Sequence, residues 1–76
     1  MIPQISDAEL VLMEHIWEKE GIRAAQLVQL EKAQMGWSRN TTYTLLTRMV
    51  EKEIIRREDP GFCCTALVSK EQVRAG

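Results

Sequence analysis

The sequence predicts an α+β fold in which three helices precede a β-hairpin, and two observations carry this prediction. Apolar residues recur at helical spacing in three successive stretches, which is typical of amphipathic helices. Beyond them, two short segments that are interpreted as strands, residues 54–58 and 62–68, flank the turn sequence Asp59-Pro60-Gly61, which indicates a hairpin. The 76 residues, 45% hydrophobic and 28% charged, suffice for one small domain with a thin core, and they leave no room for a large enzyme with a cofactor cleft.

The first helix is predicted over about residues 7–19. Ser6 and Glu9 have the spacing of a capping box, in which each side chain bonds the backbone N–H of the other residue. Gly21 is expected to end the helix. The apolar residues at helical spacing are Ala8, Leu12, Met13, Ile16 and Trp17.

A short second helix is predicted over residues 24–32, because apolar residues recur among good helix formers and Gly36 follows as a terminator. Its start is poorly marked, since Arg23 occupies the position where a serine or threonine cap is usual. The apolar residues are Leu27, Val28 and Leu30.

Residues 39–53 give conflicting signals. The run Thr41-Thr42-Tyr43-Thr44 favours a strand by propensity, whereas the periodicity favours a helix that Ser38 caps. Fifteen residues are long for a strand, so we expect a helix. Its buried face is predicted to carry Thr42, Leu45, Leu46, Met49 and Glu53, and its exposed face Asn40, Thr44, Thr47 and Glu51, flanked by Tyr43 and Arg48.

The hairpin is predicted to pair residues 54–58 with residues 62–68, and it must pack on the helices because an isolated hairpin is marginal. A helix-turn-helix followed by a hairpin is the layout of a winged helix, whose third helix can lie in the DNA major groove. Residues 1–68 are expected to form this domain. Residues 69–76 then begin a C-terminal helix or linker that the chain ends before completing, with Ser69 as its cap.

Charge is distributed unevenly, although the net charge is only −1. Residues 1–20 sum to −4, and residues 39–57 sum to +3. A basic centre can be the footprint of an anionic partner on one face. Ordinary salt bridges on a solvated surface would give the same pattern, so charge alone does not decide between the two.

Three motifs extend over nearly the whole chain: Ile5-Ser6-x-Ala8-Glu9 with Ile16-Trp17, Trp37-Ser38-x-x-Thr41-x-x-Thr44-Leu45-Leu46-x-Arg48, and Glu53-Ile54-Ile55-x-Arg57. Together they resemble the N-terminal DNA-binding domain of the penicillinase-repressor, methicillin-repressor and copper-responsive repressor family of bacteria, over about residues 5–69. The second motif is the most specific.

The resemblance implies a transcriptional repressor that binds a palindromic operator in double-stranded DNA as a homodimer. In the family a separate C-terminal helical segment makes the dimer, so we expect residues 1–76 by themselves to be mainly monomeric. The third helix is the family's recognition helix, and the matching positions are Thr41, Thr44 and Arg48.

The helical period adds Asn40, Tyr43 and Thr47 to that face. The positively charged Arg39, Arg56 and Arg57 are expected to contact DNA phosphates. Asparagine can pair with adenine and arginine with guanine, while threonine can contact a thymine methyl group. A merely solvated polar face is the alternative. The chain departs from the family pattern at two places. Arg39 replaces a proline, and the tip of the hairpin, which is the wing of the winged helix, is the acidic sequence Glu58-Asp59-Pro60-Gly61. The full candidate DNA-binding set is Arg39, Asn40, Thr41, Tyr43, Thr44, Thr47, Arg48, Arg56 and Arg57.

Cys63 and Cys64 permit a thiol- or metal-responsive regulator as an alternative function. Adjacent strand residues point to opposite faces, however, so the two thiols cannot easily chelate one ion, and we expect one buried and one partly exposed cysteine. Trp17 and Trp37 could stack on single-stranded nucleic acid, but we expect them to anchor the core.

No nucleophile and base are placed together, so we expect no enzyme activity, no cofactor and no bound metal. No apolar run is long enough to span a membrane, and Met1-Ile2-Pro3-Gln4 lacks the basic start of a secretory signal, so a cytoplasmic location is expected. A winged-helix module that binds another protein is the remaining alternative, because fold does not fix function.

Overall fold

The computed structural model describes residues 4–75; Met1–Pro3, on which the secretory-signal prediction partly rests, and Gly76 lie outside it. The predicted order of three helices and a hairpin is confirmed, with a short strand in addition, and the helix expected after Ser69 is present, with Ser69 Oγ accepting the Gln72 N–H at 3.1 Å. In order, the elements are α1 (Asp7–Glu18), β1 (Ile22–Arg23), α2 (Ala24–Met35), α3 (Arg39–Glu51), β2 (Ile55–Glu58), β3 (Cys63–Ala66) and α4 (Lys70–Ala75). None of the helices within residues 4–75 combines the length and apolar character of a membrane span.

The sheet has three antiparallel strands in the order β1-β3-β2, whereas the sequence predicts only the β2–β3 hairpin. The additional strand pairs Ile22 with Cys64. Hydrogen bonds extend this pairing on both sides, from Gly21 N–H to the Cys64 carbonyl and from Ala24 N–H to the Phe62 carbonyl, each 3.0 Å long. The hairpin is therefore tied to the segment between α1 and α2.

The starts of α1 and α2 agree with the sequence prediction, since a side chain caps α1 and none caps α2. Ser6 and Glu9 form the complete capping box. At α2 the Arg23 side chain makes no cap, and only its backbone N–H donates to Gln26 Oε1 at 3.4 Å. This helix extends three residues beyond the prediction and ends at Gly36, whose φ of 71° is the left-handed value that glycine accommodates without steric cost.

The helical prediction for α3 is confirmed, and Ser38 Oγ accepts the Thr41 N–H at 3.2 Å. The predicted end at Glu53 is wrong. The helix closes earlier because Glu53 N–H donates to the Val50 carbonyl and Ile54 N–H to the Met49 carbonyl, both at 3.0 Å. This is a Schellman motif, with Glu53 in the left-handed conformation at φ 61°. Glu53 is exposed rather than part of the buried face.

Replacing Glu53 with glycine is expected to stabilise the domain by about 0.5–1 kcal/mol, because glycine adopts the left-handed conformation without the steric cost that a Cβ imposes. Thermal unfolding measures the effect. Gly21→Ala is a matched control: its φ of 79° is also left-handed and nothing lies within 4 Å of an added Cβ, so this change should lower the melting temperature. A lower melting temperature for Glu53→Gly would contradict the proposed strain.

The core lies between the three long helices and the inner face of the sheet. The predicted stripes are largely confirmed, since each helix contributes fully buried residues, with Leu46 more deeply buried than the half-buried Leu45. Trp17 and Trp37 pack against this core as expected, and Trp17 Nε1 donates to the Val68 carbonyl at 2.9 Å. The fully buried large hydrophobic residues are Leu12, Met13, Ile16, Leu27, Leu46, Met49, Ile54 and Ile55.

Two buried carboxylates connect the helices. Glu9 Oε1 accepts a 2.8 Å hydrogen bond from Lys52 Nζ, which links α1 to the end of α3. Burial raises the pKa of Glu9, but the hydrogen bonds from Lys52 and Ser6 outweigh it and hold that pKa below its usual value. Glu31 is fully buried and lies 2.8 Å from His15 Nδ1. Burial raises the pKa of Glu31, against the opposing effect of His15.

Candidate nucleic-acid interface

One exposed face of α3 carries most of the predicted site residues. Asn40, Thr44, Thr47 and Arg48 are exposed, whereas Thr42, Leu46 and Met49 on the opposite side are buried. The helix therefore exposes polar side chains on successive turns along one side, while its apolar side is buried in the core. A shallow concavity along this side is lined by Asn40, Tyr43, Thr44, Thr47, Arg48 and Glu51.

Glu51 is the member of this surface that the candidate set omits, although its spacing from Thr44 and Thr47 already indicates the same face. Its carboxylate repels phosphates but can accept a hydrogen bond from the amino group of cytosine.

The threonine hydroxyl groups of α3 are partly engaged within the helix. Thr47 Oγ1 donates to the Tyr43 carbonyl at 2.9 Å. Thr41 Oγ1 lies 3.0 Å from Ser38 Oγ, so this hydroxyl group takes part in the helix cap. Both oxygen atoms keep lone pairs, and both side chains are exposed with their methyl groups. In the free protein, Thr44 is the threonine of this face whose hydroxyl makes no hydrogen bond among the described residues.

Two aromatic rings and two arginines form a row of contacts from the start of α3 to the hairpin. The Arg39 guanidinium lies 5.3 Å from the centre of the Tyr43 ring, and the Arg57 guanidinium lies 4.1 Å from that of Phe62. The two rings meet edge to face, with 5.8 Å between their centres. Cation–π and aromatic pairs of this geometry are attractive. They connect Arg39 and Arg57 to Tyr43, which lines the concavity of α3.

Arg56 does not join this group. Successive strand residues point to opposite faces, and Arg57 shares the inner face with Ile55 and its cross-strand partner Cys64. Arg56 therefore lies on the outer face of the hairpin, together with Glu58. The structure brings Arg39, Tyr43 and Arg57 together beside α3 and leaves Arg56 apart from them.

The two cysteines differ in their surroundings as expected, with Cys64 buried and Cys63 half-buried. Burial, and next the neighbouring Cys63, raise the pKa of the Cys64 thiol to about 11, with Arg57 opposing. The nucleophilic thiolate is correspondingly scarce at neutral pH. Within residues 4–75, no three histidine, cysteine, aspartate or glutamate side chains are grouped so as to hold a metal ion.

Comparison with known proteins gives consistent matches. The sequence model of a family described as penicillinase repressor matches residues 5–76. The penicillinase repressor of Bacillus licheniformis is 35% identical over 60 residues, which cover 79% of this chain and 47% of that protein. The chain thus spans about half the length of this curated relative.

Two solved structures resemble the fold. The solution structure of the DNA-binding domain of the repressor BlaI has a TM-score of 0.84 and 32% identity, and the match covers 92% of this chain and 88% of that one. The solution structure of the monomeric form of Bacillus licheniformis BlaI in complex with the blaP half-operator has a TM-score of 0.78 and 32% identity, covering 93% and 89% of the two chains.

Proposed function

We propose that this chain, which belongs to the penicillinase repressor family, is the DNA-reading domain of a bacterial transcriptional repressor. In this proposal α3 enters the major groove, and Asn40, Thr44, Thr47 and Arg48 contact base edges. Arg39 and Arg57, which are linked through Tyr43 and Phe62 on one flank of α3, contact backbone phosphates. Thr41 and Tyr43 support the start of α3, and Arg56 reaches phosphate only from the outer face of the wing.

The observation that carries the proposal is a polar helix face that nothing in the described structure covers, flanked by two arginines held in place by aromatic rings. Base edges in the major groove require exposed amide, hydroxyl and guanidinium groups on one helix face. The match to a monomeric repressor in complex with a half-operator supports DNA binding, because that protein has the same fold.

We further propose that the whole protein is a cytoplasmic homodimer that binds a palindromic operator and has neither enzyme activity nor a cofactor. Residues 1–68 would form its DNA-binding domain, and a separate segment would begin at residue 69. Residues 1–76 alone should be mainly monomeric. In support, the exposed large hydrophobic side chains of the described part are Met35, at the end of α2, and Leu67, in the loop after β3, whereas stable dimers bury larger continuous patches.

A mobility shift with DNA from upstream of the protein's own gene tests the proposal directly. A DNA reader releases counterions, so the logarithm of its association constant should fall with the logarithm of salt concentration, with a slope of about −0.9 for each phosphate contacted. Absence of binding at low salt would overturn the proposal. Binding of a protein partner with little salt dependence would instead favour the protein-interaction alternative.

Arg48→Ala is expected to weaken binding of the preferred operator by about 1–3 kcal/mol without unfolding the domain, because a bidentate arginine contact to a base would be lost from an exposed position. Titration at matched salt measures the loss. Lys19→Ala removes one exposed positive charge at the end of α1 and should change affinity little. Equal affinity of the Arg48 variant and wild type would remove Arg48 from the interface.

A further inference from the structure

The guanidinium group of Arg57 already has an anionic partner within its own wing. Its Nε donates a hydrogen bond to Asp59 Oδ1 at 3.3 Å. Asp59 lies in the turn that joins β2 to β3, two residues from Arg57. The Phe62 ring covers one side of the same guanidinium at 4.1 Å. Arg57 is thus held from two directions.

A carboxylate oxygen offers arginine the same kind of acceptor as a phosphate oxygen. Arginine binds phosphate best through two parallel N–H groups of its planar fork, and Nε supplies one edge of that fork. Asp59 occupies this donor and neutralises the charge that would attract a phosphate. Phe62 limits the ways in which the guanidinium can turn toward another acceptor.

We propose that Asp59 is a built-in competitor of the DNA phosphate for Arg57, so that it lowers the affinity of the wing for DNA of any sequence. The inference rests on the proposed function. It goes beyond simple repulsion between an acidic wing and DNA, because it assigns the effect to one ion pair. Sequence-specific contacts of α3 are untouched by this competition, so the pair increases the share of the binding energy that comes from base reading.

The pair is weak enough to be displaced. Arg57 and Asp59 keep 49% and 62% of their side-chain surface exposed, and exposed pairs are stabilised only modestly by their attraction. Phosphate can therefore replace Asp59 when the wing meets the duplex. The cost of breaking the pair should appear as an affinity about 1.5- to 5-fold lower than that of a wing whose Arg57 is free.

The test compares single variants on a mixed-sequence DNA duplex at low, fixed salt. Asp59→Asn should bind this duplex about 1.5- to 5-fold more tightly than wild type. Asp59→Ala, which removes the acceptor completely, should show at least the same gain. Thermal unfolding of each variant checks that the fold is retained.

Glu58→Gln is the matched control, since it removes the same charge from the neighbouring residue. Glu58 lies on the outer face of the hairpin, opposite to Arg57. Its removal should therefore give a smaller gain, due only to lower repulsion. The decisive comparison repeats Asp59→Asn in an Arg57→Gln background, where the gain should shrink to that of Glu58→Gln.

The outcomes distinguish the competition between Asp59 and phosphate from DNA binding itself. If Asp59→Asn raises DNA affinity in the wild-type background but not in the Arg57→Gln background, Asp59 competes with phosphate for Arg57. Equal gains from Glu58→Gln and Asp59→Asn, or a gain that persists in the Arg57→Gln background, would overturn it while leaving DNA binding intact. Failure of wild type itself to bind any duplex at low salt would overturn the proposed function, and this inference with it.

Discussion

Truncating Leu46 to alanine is expected to lower the melting temperature of the domain strongly. Leu46 has no exposed surface and lies in the core where α3 packs against α1, α2 and the sheet. Removing a buried leucine side chain costs about 2–5 kcal/mol, because transfer energy is lost and a cavity remains. Small domains have total stabilities at the lower end of about 5–15 kcal/mol, so this loss consumes much of the available stability. Thermal unfolding followed by circular dichroism measures it.

Thr44→Ala is the matched control, since it lies on the opposite, exposed face of the same helix. Its effect on stability should stay within about 0.5 kcal/mol, while DNA affinity should fall. Leu45→Ala should be intermediate, because Leu45 is only half-buried. A larger drop in melting temperature for Thr44→Ala than for Leu46→Ala would mean that α3 turns a different face toward the core.

Joining two copies of residues 1–76 through a dimeric coiled coil is expected to raise affinity for a palindromic site by about 10²–10⁴ over that of one copy for its half-site. The physical reason is effective concentration: once one reader is bound, the second is held near its own half-site. Binding titrations should use a half-site selected by residues 1–76 from random-sequence duplexes, and a palindrome built from two inverted copies about one helical turn apart.

The geometry supplies the control for this experiment. Adding about half a helical turn, ~5 base pairs, between the half-sites places them on opposite sides of the duplex and should abolish most of the gain. Sedimentation of the unlinked chain completes the test. A tight dimer of residues 1–76 at micromolar concentration, with equally tight palindrome binding, would contradict the expected monomer.

The helices could be predicted because their signals are local. The capping box of Ser6 and Glu9 and the apolar period of α3 each lie within a few turns of chain, and periodicity correctly outweighed the strand propensity of the threonines. The end of α3 was missed for a local reason as well. A helix that ends in the left-handed conformation is normally marked by glycine, and in this chain Glu53 takes that position.

The remaining features depend on contacts between distant parts of the chain. A two-residue strand at Ile22 has no recognisable pattern, and it becomes a strand only because β3 pairs with it. The burial of Glu31 was not predicted, because its partner His15 lies on another helix.

The candidate site shows the same division between local and distant information. The exposed face of α3 followed directly from periodicity, including Asn40, Thr44 and Thr47. The surroundings of Arg56 and Arg57 were not predicted. Both arginines were expected to contact phosphates, whereas strand alternation places Arg56 on the outer face of the hairpin and Arg57 on the inner face, beside the Phe62 ring.

The position of β2 at the edge of the sheet has a consequence for self-association. An edge strand presents unpaired backbone groups on which another copy of the chain can add a strand, and this is a route to aggregation. Three of the four residues of β2 are exposed and charged, namely Arg56, Arg57 and Glu58. Charges on a short edge strand disfavour such pairing. The charged residues of β2 are thus expected to disfavour edge-to-edge association of concentrated protein, and apolar β-branched replacements there should favour it.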